Sequence, residues 1–187
     1  MTKIAMIVGS IRKDSYNLKL AKALEKLGKD HFSVTHIRID DLPLFNQDLE
    51  SAPPAAVTRL KSEIEAADGI VFVTPEYNRS IPGVLKNAID WASRPYGKNS
   101  FSGKPSAICG TSPGAIGTAV AQSHLRSVVN GFLNCPVMGQ PELYLAFKDG
   151  LIDAEGNVSN PDTEKFLQSY VDQFAAYVAG SKKAKAA

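Results

Sequence analysis

The residues best suited to chemistry lie in three loops. The first, Gly9-Ser10-Ile11-Arg12-Lys13-Asp14-Ser15-Tyr16-Asn17, gathers hydroxyls, an amide and a guanidinium between an apolar run and an amphipathic stretch. A helix starting there presents unpaired backbone N–H groups and about half a positive charge, so geometry and field together favour a phosphate. Arg12 adds a bidentate donor. The loop has neither G-x-G-x-x-G nor G-x-x-x-x-G-K-[ST] spacing, which points to a monophosphate rather than to a dinucleotide or a nucleoside triphosphate. The plainer reading of the same residues is that Ser15 or Asn17 caps the helix and Arg12 is a solvated charge.

The second loop, Thr74-Pro75-Glu76-Tyr77-Asn78-Arg79-Ser80-Ile81-Pro82-Gly83, runs into Val84-Leu85-Lys86-Asn87-Ala88-Ile89-Asp90-Trp91. Its prolines and glycine stiffen a segment that offers an aromatic ring and several backbone N–H groups, the equipment needed to grip a flat heteroaromatic ring by its edge. The plainer alternative is a rigid turn in which Glu76 caps or salt-bridges; Trp91 is read as core. The third loop, Gly110-Thr111-Ser112-Pro113-Gly114-Ala115-Ile116-Gly117-Thr118, is small enough for backbone to approach a planar ligand closely, or is simply a strand-to-helix turn.

Strands and helices that alternate along the chain position these loops. Apolar runs predict strands over Lys3–Val8, Phe32–Ile39, Gly69–Thr74 and Pro105–Cys109, with a fifth beginning near Pro136. Helical spacing covers Asn17–Leu27, the set Val57, Leu60 and Ile64, Gly83–Ser93, the set Leu125, Val128, Val129 and Phe132, and Thr163–Val178. The alternation predicts an α/β fold, a doubly wound five-stranded parallel sheet in the order 2-1-3-4-5. Ligands then bind beyond the carboxyl ends of the strands where the order reverses, which is where the loops after strands one, three and four meet. The 187 residues fit one domain over 1–179, with 180–187 as a frayed basic tail.

A net charge of +2 with scattered basic residues is too weak for a nucleic-acid footprint. Cys109 and Cys135 lack the spacing of a metal or redox pair and suit a reducing, cytoplasmic setting. A strand beginning at Lys3 leaves no room for a signal peptide, and no apolar run approaches a membrane span. His31 and His36 are expected in solvent, and His124 in a structural or interfacial role. The three form no ligand cluster.

Together these segments resemble the NADPH-dependent FMN reductase family, in particular its quinone and chromate reductase branch, which overlaps with azoreductases. The resemblance covers nearly the whole chain. It is strongest at G-S-x-R-x-x-S-x-N, from Gly9 to Asn17, and at P-E-Y-N…I-P-G-x-L-K-N-A-I-D-W, from Pro75 to Trp91. The resemblance implies a flavodoxin-like fold in which Ser10, Arg12, Ser15 and Asn17 hold the FMN phosphate and Tyr16 also belongs to the cofactor site. It implies that Pro75, Glu76, Tyr77 and Asn78 hold the isoalloxazine, with Ser112 and Gly114 completing the pocket. It also implies a homodimer or homotetramer with FMN near a subunit boundary and polar links at Arg126 and Glu142. Some members carry a tyrosine where Arg79 stands. The activity implied is ping-pong transfer of a hydride from NADPH or NADH to FMN, then to a small acceptor: a quinone, chromate, an azo compound or free flavin.

Such a cycle needs no catalytic side chain or metal. A flavodoxin-type one-electron carrier would share the fold but be strongly acidic for docking, unlike this chain. A low-molecular-weight phosphatase needs a cysteine and an arginine in one phosphate loop, and no arginine follows Cys109 in Gly110–Gly114.

Overall fold

The apolar runs form one parallel sheet of β1 (Thr2–Val8), β2 (Phe32–His36), β3 (Gly69–Val73), β4 (Ser106–Ser112) and β5 (Leu143–Ala146), ordered β2-β1-β3-β4-β5. The computed structural model describes residues 1–186. Between the strands run α1 (Tyr16–Leu27), α2 (Ala55–Glu65), α3 (Gly83–Ala92) and α4 (Ala119–Arg126), and α5 (Pro161–Ala186) follows β5. Successive strand side chains point to opposite faces. Ala5, Ile7, Ile70, Phe72 and Ile108 therefore share a core with Leu60, Leu85 and Leu125, while Ile4, Met6, Val71, Val73 and Ala107 pack with Leu20, Leu24, Tyr170 and Phe174. The chain turns one way from β1 to β2 and the other way from β2 to β5. Right-handed crossovers then place α1 on the face opposite α2, α3 and α4. The flavodoxin-like order expected from the sequence is the order found, and the loops after β1 and β3 part at its reversal.

Several boundaries differ from the sequence reading. β2 stops at His36, although Ile37 still donates to the carbonyl of Met6 at 2.9 Å. The strand expected near Pro136 is only a short contact, Val137 bridging Ser106, and the true β5 begins at Leu143 opposite Cys109. Pro136 and Pro141 have no N–H to give a ladder, so continuous pairing waits until both have passed. β4 continues through Gly110, Thr111 and Ser112, which the sequence placed in a loop. A Cβ on Gly110 would sit 2.1 Å from the Thr74 carbonyl oxygen and 2.2 Å from Thr118 Oγ1, so this position admits only hydrogen.

Beyond α4 a π-helical turn spans Ser127–Phe132. Its wider pitch breaks the helical spacing, leaving Val129 buried and Phe132 exposed rather than on the apolar face. The last helix is longer than its apolar pattern. Residues 180–182, assigned to a frayed tail, continue it, and Lys182 pairs with Asp68 at 2.9 Å. Trp91 is core as expected: it is fully buried, its Nε1 donates to the Pro43 carbonyl at 2.8 Å, and Phe45 meets its ring edge-on at 5.0 Å.

Candidate functional site

At the reversal point the ends of β1, β3 and β4 enclose a cleft of about 150 Å³, lined by Ser10, Arg12, Ser15, Tyr16, Asn17, Pro75, Glu76, Tyr77, Thr111, Ser112 and Pro113. Nine of the residues expected from the sequence meet there; Asn78 and Gly114 do not line it. A larger groove of about 600 Å³, between the end of α1 and α5, gathers Lys26, Lys29, His31 and Gln168 but none of the three loops.

One end of the cleft is built by the start of α1. Ser15 is its N-cap, its Oγ accepting from the Leu18 N–H at 3.3 Å, and Ser10 Oγ accepts from the Arg12 N–H at 3.4 Å. Both hydroxyl protons stay available, as do the Tyr16 and Asn17 N–H groups that open α1. The Arg12 guanidinium lies over the Tyr16 ring, 5.1 Å from its centroid. Among the described residues Arg12 is the one arginine with no carboxylate partner, whereas Arg38, Arg59, Arg79, Arg94 and Arg126 are all paired. A cation held by an aromatic face, above two hydroxyls and a helix N-terminus, is a donor set that fits a phosphate dianion.

Asn17 does different work. Its side chain is buried and spans from α1 to β4, donating from Nδ2 to the Thr111 carbonyl at 2.8 Å and accepting the Thr111 N–H on Oδ1 at 3.0 Å. The amide thus completes the ladder at the end of β4 and ties the first loop to the third. One donor and one acceptor of the amide thus go to Thr111, so Asn17 braces the cleft that it also lines.

The opposite end is a tight hairpin. Tyr77 and Ser80 exchange N–H···O bonds of 3.0 Å around Asn78 and Arg79, whose φ values are +51° and +63°. Asparagine tolerates this left-handed region; arginine adopts it at some cost. Tyr77, which lines the cleft, remains 51% exposed. The Glu76 side chain is only 9% exposed. Its Oε2 accepts the N–H groups of both Val120 and Ala121 at 3.1 Å, and its Oε1 meets Arg79 at 3.4 Å. Capping and salt-bridging, the plainer alternative for this residue, is what its carboxylate does. Ser80 Oγ lies 3.2 Å from His124 Nδ1, so His124 holds the same hairpin. The third wall is braced by Ser112 Oγ, which donates to the Gly117 carbonyl at 2.5 Å.

Phe147 escaped the sequence reading. It follows β5 directly and stacks on Tyr16 with ring centroids 4.2 Å apart, and Lys19 Nζ sits 5.8 Å from its centroid. A correct β5 register would have revealed it, because residues just past parallel strands all emerge at the same edge of the sheet. Arg126 and Glu142, expected across a subunit boundary, pair within the chain at 3.5 Å, and Arg126 also donates to the Met138 carbonyl at 3.2 Å. Burial pushes the Cys109 thiol up to about 12 and the Cys135 thiol to about 11.

A cleft that gathers unspent phosphate-type donors, a stiff hairpin and aromatic side chains has the chemistry to hold a mononucleotide with a planar ring, the ligand class of flavodoxin-like flavin oxidoreductases. Comparison with known proteins narrows that class. The chain belongs to the NADPH-dependent FMN reductase family, whose model matches residues 2–150. It is 53% identical to a 2-hydroxy-1,4-benzoquinone reductase from a Burkholderia species over 94% of this chain and 96% of that protein. It is 48% identical to a quinone reductase from Pseudomonas putida, covering 94% of each. Among solved structures, FerB from Paracoccus denitrificans, a flavoenzyme NAD(P)H:(acceptor) oxidoreductase, superposes with a TM-score of 0.90 at 46% identity, covering 97% of this chain and 99% of that one. The protein is an NAD(P)H-dependent flavin oxidoreductase. No helix among the described residues is long and apolar enough to cross a membrane.

Proposed function

We propose that this protein is an FMN-dependent NAD(P)H:quinone oxidoreductase working by a ping-pong cycle. The observation that carries the reading is the Arg12 guanidinium, without a carboxylate partner among the described residues and set over Tyr16, which lines one cleft with the hydroxyls of Ser10 and Ser15 and with Pro75, Glu76 and Tyr77. Ser10, Arg12 and Ser15 with the first turn of α1 hold the phosphate. The main chain of Pro75, Glu76 and Tyr77 lies along the ring edge, with Ser112 and Pro113 as the far wall. FMN, when bound, supplies two-electron chemistry between nicotinamide and acceptor. The residues around it bind and orient, keeping the ring face open for nicotinamide and acceptor in turn.

The quinone assignment draws on the names of the relatives, whose identity spans nearly the full chain. Chromate, azo compounds and free flavin are further acceptors for the same exposed ring edge. We further infer one domain over 1–179, a cytoplasmic setting that keeps the buried thiols reduced, and a homodimer or homotetramer checkable by sedimentation.

The experiment is an absorbance spectrum of the purified protein before and after anaerobic NADPH. A bound-flavin spectrum that bleaches directly to the two-electron reduced form, and returns on adding a 1,4-benzoquinone, is the expected result. Bound flavin that neither NADPH nor NADH reduces would instead identify an electron carrier, and failure to bind added FMN would overturn the site.

A further inference from the structure

The cap of α4 comes from an unusual distance. Thr118, its local N-cap residue, makes no side-chain bond to the helix N-terminus, and its Oγ1 accepts from Gln122 Nε2 at 3.0 Å instead. The first-turn N–H groups of Val120 and Ala121 are satisfied by one oxygen of Glu76, 44 and 45 residues earlier in the chain. Four residues along α4, about one turn or 6 Å, His124 meets Ser80. The hairpin is therefore fastened at both ends to one helical turn. Its left-handed residues, Asn78 and Arg79, lie between the two anchors. Without such anchors a two-residue turn carrying arginine at φ +63° has neighbouring conformations of similar energy.

We propose that Glu76 is a positioning residue. Its carboxylate seats the hairpin on the N-terminus of α4, and so sets where the main chain of Pro75–Tyr77 meets the flavin ring without the carboxylate touching that ring. This rests on the flavin reading above. The role depends on the reach of the side chain, because an oxygen must arrive at Val120 and Ala121. It depends little on the charge, because a neutral carbonyl oxygen also accepts both N–H groups and the pair with Arg79, long at 3.4 Å and open to solvent on the arginine side, is weak.

Two variants separate reach from charge. Glu76→Gln keeps the reach and loses the charge; Glu76→Asp keeps the charge and is one methylene too short. Three measurements are made on each: hydrogen-exchange protection of residues 76–80 and 119–121 in flavin-free protein, the FMN dissociation constant, and the ratio of affinities for reduced and oxidised FMN. With Glu76→Gln all three stay within about threefold of the parent. With Glu76→Asp, protection of both segments falls at least tenfold and FMN binding weakens about tenfold. Reduced FMN then loses about tenfold more than oxidised FMN, because the donors that meet the ring have moved. For a two-electron couple that is a potential lower by about 30 mV.

The reverse pattern, with aspartate like the parent and glutamine impaired, shows that the charge acts on the flavin directly and overturns the proposal. It is also overturned if both variants match the parent. Hydrogen exchange is read without flavin, so a parent protein that fails to bind FMN sinks the flavin reading while the anchoring of the hairpin is still tested.

Discussion

Replacing Asn17 by alanine separates a brace from a ligand. The side chain satisfies both the N–H and the C=O of Thr111, at 3.0 and 2.8 Å, and both Asn17 and Thr111 are buried. Truncation leaves two buried backbone groups without partners. Each costs about 1–3 kcal/mol, offset in part by water entering the space and by recovered side-chain entropy, so about 3 kcal/mol is the expected loss. In a protein of this size that lowers Tm by about 6–12 °C. The assay is thermal or urea unfolding of the flavin-free protein alongside an FMN titration, with Ser15→Ala as the control for losing an ordinary N-cap, about 1 kcal/mol. Asn17→Asp discriminates further: the carboxylate still accepts the Thr111 N–H but sets a second, charged oxygen against the Thr111 carbonyl, so it is at least as damaging as alanine. The reasoning is refuted if Asn17→Ala leaves the flavin-free Tm within about 2 °C of the parent while FMN binding falls tenfold or more. In that case the amide is a phosphate ligand and its bonds to Thr111 are incidental.

Arg12→Ala has the opposite profile: FMN binding about 10- to 100-fold weaker, as for a lost charge-assisted bond, and flavin-free stability unchanged, since Arg12 has no carboxylate partner among the described residues. Isothermal titration at two salt concentrations checks it, the parent losing affinity with salt more steeply than the variant. Gly110→Ala places a methyl 2.1 Å from the Thr74 carbonyl oxygen, forcing β3 and β4 apart; it costs more than about 3 kcal/mol or prevents folding, visible as loss of soluble protein. The thiols set an alkaline limit. Cys109 and Cys135 are raised from 9.0 to about 12 and about 11, so between pH 9 and those values the unfolded chain has released protons that the folded chain retains. Stability is insensitive to these groups below pH 9 and falls above it, by about 1.4 kcal/mol per pH unit for each thiol. Urea unfolding from pH 7 to 10.5 tests the sign, and Cys109→Ala flattens the slope.

The sheet order was legible because it depends on features the chain repeats: continuous apolar runs for doubly covered strands, and helical spacing between them. The placement of the site followed from that order alone, since the reversal between β1 and β3 sets where two loops part. Residue types within the loops were legible too, and Ser10, Arg12 and Ser15 do line one cleft with Pro75, Glu76 and Tyr77. What each polar side chain binds was not. Asn17 and Glu76 find their partners 94 and 44 residues away, and nothing local distinguishes an amide aimed at phosphate from one aimed at a strand end. The fifth strand failed for a related reason. Val137 has the apolar character of a strand, and only the prolines on either side, with no N–H to donate, defer pairing to Leu143.

The long-range hydrogen bonds around the cleft follow one pattern, and it bears on how the cleft works. The polar residues whose hydrogen bonds are spent inside the chain are those that tie one loop to another: Asn17 joins the loop after β1 to β4, and Glu76 joins the loop after β3 to α4. The groups left free, Arg12 with the hydroxyls of Ser10 and Ser15, all sit on α1 or just before it. A cleft arranged this way has its hairpin wall fixed before any ligand arrives, while the α1 end keeps its donors unspent. On the flavin reading proposed above, phosphate capture supplies affinity, and the braced hairpin, which serves both the oxidised and the reduced ring, supplies geometry that does not have to be rebuilt between half-reactions.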